Sequence, residues 1–173
     1  MKVSINVACF DDQKNDQFAD AVFIKALERT FGEAIDRGIF TVNGVKEAEI
    51  SLLFADDAEM SELNSRYRGE NAATDVLSFP LWEDESGFNP PAEWEKLPLG
   101  DIAVCPEIVA QNAAINGKSA KEEMVLVISH GFLHLIGFDH DTKEHEERMW
   151  EKQEELVRSF FSASGGGCHA DRG

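Results

Sequence analysis

Positive charge is scarce in this sequence. Sixteen lysines and arginines face 33 aspartates and glutamates, a formal net charge of -17 over 173 residues. Such a balance repels polyanions at long range, which argues against nucleic acid as a partner, DNA included, and leaves room only for a local basic cleft built around an arginine and a divalent cation. Cysteine is also rare: Cys9, Cys105 and Cys168 are odd in number and contain no CxxC pair. That excludes a disulfide framework and a thiolate metal knuckle. Apolar runs are interrupted within a few residues, far short of the roughly 20 that a membrane span needs, so no membrane partner is expected. Met1 to Ala8 alternates like a strand and has no secretory apolar region with a small-residue cleavage site, so a cytoplasmic location is the default expectation. Internal repeats, a glycine-rich dinucleotide fingerprint, a phosphate-binding P-loop and zinc-finger spacing are all missing.

What remains is a chain with 43% hydrophobic residues, enough for one well-buried core and too short for two comfortable domains. A single domain over residues 1–161 is expected, with Ser162 onward, through Gly165-Gly166-Gly167 and His169, as a disordered tail. Met1 to Ala8 reads as the first strand, and Asp11, Asp12 and Asn15 offer turn or N-cap groups. Ala19, Phe23, Leu27 and Phe31, four residues apart, mark an amphipathic helix expected to end at Gly32. Ala48 to Phe54 is a second strand. Asp56 or Asp57 caps a short helix carrying Met60, Leu63 and Asn64. Thr74 to Phe79 is a strand stopped by Pro80, and Gly100 to Cys105 another, with Pro106 opening a helix. Between them residues 81 to 98 have no period and read as a long loop, expected to be a lid, a binding loop or a mobile segment.

A helix starting at Lys118 or Ser119 runs towards Gly137. Its segment Met124-Val125-Leu126-Val127-Ile128 is apolar on every face, so this helix belongs inside the core. A last helix from about Thr142 carries seven carboxylates between Asp141 and Glu155. Strands interspersed with helices give an α/β (α+β layered) fold: a small mixed β-sheet packed against helices, one of them buried and central.

Three of the five histidines fall within eleven residues. His130 and His134 are four apart, on one face of the buried helix, where polar groups without a task are costly. Gly137 turns the chain and brings His140 back as a third ligand. Three neutral imidazoles suit one zinc ion per chain, with a fourth position open, and such an ion lowers the pKa of a coordinated water towards about 7. The spacing of the first pair is that of a zinc protease, but Gly131 stands where such an enzyme has its glutamate base. Peptide hydrolysis by that route is excluded. His145, in the charged helix that follows, is expected to face solvent.

The segment His130-Gly131-Phe132-Leu133-His134-Leu135-Ile136-Gly137-Phe138-Asp139-His140 resembles the signature HGxLHLxGxDH of the YbeY family, bacterial endoribonucleases of rRNA maturation. Every fixed position matches. Leu63 to Gly69, Thr74 to Pro80 and Leu99 to Ile102 agree with further family blocks, and the resemblance covers roughly residues 47 to 160. It implies an α/β fold with zinc held by His130, His134 and His140, and an active-site arginine at Arg68. It also implies single-strand-specific cleavage of ribosomal RNA, notably at the 3′ end of 16S rRNA, and partners among the ribosome or its small-subunit proteins. Ala72 and Ala73 stand where members often have Lys and Pro, which removes a positive charge near the expected RNA path.

Phosphodiester cleavage needs positive charge around the transition state, which the ion and the Arg68 fork would supply. Asp75, Asp101 and Asp139 are the candidates for a proton-transfer group or for second acceptors behind the imidazoles. Arg37, Arg66, Arg68 and Lys46 are expected to form a basic strip, with the acidic last helix facing away. Two other readings stand beside this one: hydrolysis of a small phosphoester or amide, and a ribosome-associated binding module with structural zinc. An open cleft lined by Arg68 favours RNA, and a closed apolar pocket favours the small substrate.

Overall fold

The computed structural model describes residues 2–11, 16–40 and 44–163. The expected turn groups Asp12 and Asn15, the tail beyond residue 163, Cys168 and His169 lie outside the described residues. Alternating burial sets the strands. β1 (Ser4–Asp11), β2 (Glu47–Phe54), β3 (Val76–Pro80) and β6 (Lys96–Val104) form one sheet in the order β1-β2-β6-β3. β1, β2 and β6 run parallel, pairing Val7 with Ile50 and Leu52 with Ile102. β3 is antiparallel on β6, with Leu77 opposite Ala103 and Phe79 opposite Asp101. The mixed sheet is therefore as the sequence implied.

Helices cover one face of that sheet. α1 (Asp16–Ala19) precedes α2 (Ala21–Asp36), whose cap is Asp20, accepting the Phe23 N–H at 2.8 Å. α2 does not stop at Gly32. Ala34 and Ile35 continue its buried stripe, and the turn comes at Gly38, with φ of +89°. α4 (Pro106–Asn116) leads to α5 (Ala120–Leu135), and α6 (Lys143–Ala163) closes the layer. Ser162 and Ala163, expected in the tail, belong to α6. α5 is the buried helix: Met124, Val125, Ile128, Phe132, Leu133 and Leu135 are essentially inaccessible. Phe132 stacks on Phe31 of α2 with centroids 4.2 Å apart. Capping boxes start both α3 (Asp57–Arg68), through Asp56 and Glu59, and α5, through Ser119 and Glu122. α3 lies on the other face, where Met60 and Leu63 meet Leu77 and Ala103.

The segment 81–98 is more ordered than its composition suggests. It holds a short hairpin of β4 (Glu83–Asp84) and β5 (Gly87–Phe88), and its last residues begin β6. The hairpin sits on the C-terminal end of α5. Gly137 has φ of +99°, and a Cβ there would come within 2.7 Å of the Phe88 Cβ. Gly137→Ala is therefore expected to cost at least about 1 kcal/mol, from left-handed strain and the clash together. Denaturant unfolding of the variant checks this, and an unchanged midpoint would contradict it. Gly131 has a steric reason as well: a Cβ would sit 3.0 Å from the Ile102 side chain, so the glycine lets α5 lie close on β6.

Candidate metal centre

Two imidazoles come from one helix face and the third from its exit. His130 and His134 occupy adjacent turns of α5. The chain then leaves the helix with the Phe138 N–H bonded to the Leu133 carbonyl at 3.0 Å, which carries His140 back over the helix end. The Nε2 atoms of His130 and His134 are 3.1 Å apart, and one nitrogen from each of the three rings lies within 4.8 Å of the other two. For zinc bound at 2.0–2.1 Å, tetrahedral geometry places ligand nitrogens roughly 3.3–3.4 Å apart, so the donor set fits such an ion after small side-chain adjustments. His130 and His134 are half-buried and His140 is exposed.

The electrostatics keep the first two rings unprotonated. Burial pushes the His130 pKa below its ordinary value, against the hydrogen bond to Gln153. Burial and then the neighbouring imidazoles lower His134 to about 4. Their lone pairs are accordingly free for a cation at neutral pH.

Gln153 was not singled out in the sequence. Its Oε1 accepts from His130 Nδ1 at 2.8 Å, which fixes the tautomer that leaves Nε2 directed at the other two rings. The signal was present: Met149, Leu156 and Phe160 form the buried stripe of α6, and Gln153 falls on it. α6 therefore does not simply face away; it reaches the ligands. Gln153→Leu is expected to weaken zinc binding by about 10- to 100-fold, with Gln153→Glu retaining it, in competition with a chelator. Equal affinity in the parent and the leucine variant would remove the role.

One cavity of about 680 Å³ brings together His130, His134, His140, Arg68, Tyr67 and Asp139. Arg68 is exposed, and no salt bridge engages it among the described residues. Glu83 of the hairpin also lines this cleft, so the segment 81–98 contributes to the site. The three carboxylates separate. Asp139 is in the cleft and accepts the His140 N–H at 2.7 Å. Asp75 is near enough to act on His130 through its charge. Asp101 lines a different groove. The basic strip is not assembled. Arg66 pairs with Glu62 and Lys46 with Glu95, while Arg37 lies beside Arg148 and Lys152, which leaves Arg68 at the cleft. His145 faces solvent as expected, paired with Asp141 at 2.6 Å.

Against known proteins, residues 11–161 match the family model described as endoribonuclease YbeY. A protein of that name from Salinispora tropica is 40% identical over 134 residues, covering 75% of this chain and 85% of that protein. Another from Beutenbergia cavernae is 40% identical over 116 residues, covering 67% and 77%. The solution structure of a Thermotoga maritima protein superposes with a TM-score of 0.59 at 27% identity, over 90% of this chain and 89% of that one.

Proposed function

The chain belongs to the endoribonuclease YbeY family, and from that premise we propose that it is a zinc-dependent, single-strand-specific endoribonuclease acting on ribosomal RNA, notably at the 3′ end of 16S rRNA. The observation that carries this reading is the shared cleft: an exposed arginine, with no salt bridge among the described residues, lines the same cavity as three convergent imidazoles. His130, His134 and His140 hold the ion, and Gln153 orients His130. A bound zinc supplies Lewis acidity for phosphate charge. Arg68 grips a nonbridging phosphate oxygen through its guanidinium fork and stabilises the charge that builds there. Asp139 holds the His140 backbone and keeps a carboxylate at the cleft for a proton or a water.

The cleft opens to solvent at Arg68 and His140, which supports a polymeric substrate over a small enclosed one. With a net charge of -17, long-range attraction to RNA is weak, and a ribosomal partner or ribosome-bound substrate raises its local concentration. Purified zinc-loaded protein should cut single-stranded precursors spanning the 16S 3′ end and leave the same sequence uncut in a duplex. Zinc-loaded protein that cuts neither would overturn the reading.

A further inference from the structure

The metal cleft continues into a second groove on the face of the sheet that α3 partly covers, and the two share Tyr67 and Phe79. This groove, about 560 Å³, lies between Phe10 of β1 and Tyr67 of α3, with Leu53 and Ala103 as its floor. Large apolar groups are rarely left so open. Tyr67 is 60% exposed and Phe10 54% exposed. The Tyr67 ring is braced edge-on against Phe79, with centroids 5.0 Å apart, so it is held in place while a face stays accessible. Among the described residues no lysine or arginine lines the groove; besides the Tyr67 hydroxyl, its side-chain polar groups are the Ser51 hydroxyl and the Asp101 carboxylate. Neither has a side-chain hydrogen bond among the described residues.

Resting on the ribonuclease reading above, we propose that this groove is a nucleobase subsite, which takes an unstacked base of the single strand whose phosphate lies at Arg68. Adjacency in the chain makes the geometry: Arg68 turns to the metal cleft while Tyr67 lines both cavities. The groove repels phosphate through Asp101 and offers stacking surface instead, which is what a flat, neutral base requires. Asp101 and Ser51 meet the base edge, where a carboxylate accepts from an exocyclic amine. A base held within a duplex cannot enter, so the groove gives single-strand selectivity a physical origin. It also shows how so acidic a chain holds RNA: binding comes from stacking, with few phosphate contacts.

The test uses zinc-loaded protein and short 2′-O-methyl oligoribonucleotides carrying one 2-aminopurine, a base whose fluorescence is quenched on stacking. The parent should bind and quench at one position of the probe. Tyr67→Ala should abolish the quenching and weaken binding by about 5- to 100-fold, the range of one base–aromatic stack. Its zinc content and unfolding midpoint should match the parent, because the ring is exposed. Tyr67→Phe should bind as the parent does. Arg68→Ala should keep the quenching while flattening the log–log salt dependence by about 0.7, one single-strand phosphate contact. Undiminished quenching in Tyr67→Ala, or equal losses in the alanine and phenylalanine variants, would overturn the subsite and leave the ribonuclease reading intact provided the parent cleaves single-stranded RNA. A parent that neither binds nor cleaves single-stranded RNA would overturn both.

Discussion

His134→Ala should emerge from purification with almost no zinc, where the parent carries about one ion per chain. His134 supplies a nitrogen 3.1 Å from that of His130, so its loss leaves two ligands on separate elements. Full structural zinc sites are worth about 10–16 kcal/mol, so one ligand in four accounts for roughly 3 kcal/mol, more than about a hundredfold in affinity. Unchanged occupancy by metal analysis would remove the ion from this site. The same variant carries a pH signature. In the metal-free parent His134 titrates at about 4, below the 6.5 of an unperturbed ring. Between those values the unfolded chain binds more protons, so stability falls as pH drops from about 6.5 towards 4. Removing the ring should shrink that fall, and unfolding midpoints of both metal-free proteins across the window would measure it.

The second large effect separates chemistry from architecture. Arg68→Ala should keep its zinc and its unfolding midpoint and lose about 10²- to 10³-fold in cleavage of single-stranded RNA, the usual consequence of deleting one group that stabilises transition-state charge. The architecture is spared because the side chain is exposed at the last turn of α3 and, among the described residues, no salt bridge depends on it. Cleavage at the parent rate would remove Arg68 from the reaction. A falling zinc content would make it a support of the metal site instead.

The sequence was most legible where several local rules agreed. An apolar run on every face announced a buried helix, and two histidines one turn apart on it announced convergent imidazoles. Three features escaped for separate physical reasons. Gly32 looked like a helix stop, yet a glycine ends a helix only where the chain turns left-handed, and here Ala34 and Ile35 still had a core to fill. The hairpin at residues 83–88 uses two-residue strands, too short to show any period. The supposed basic strip failed because charges on separate elements carry no sign of which cavity they will reach. Arg37, Arg66 and Lys46 each found surroundings of their own.

The division of the ligands between α5 and the loop after Gly137 has a consequence for local order. Two imidazoles ride on a helix whose backbone is held by the core, whereas His140 is exposed: its ring lies against those of His130 and His134, and its N–H bonds locally to Asp139. An ion bridging the three would fasten residues 139–141, beyond the Phe138 N–H already bonded to Leu133, to α5 as a crosslink does. Amide hydrogen exchange should therefore slow on zinc addition within that short loop, while the amides of α5, already protected by burial, barely change. Protection spreading evenly over both segments would mean instead that the metal stabilises the domain as a whole.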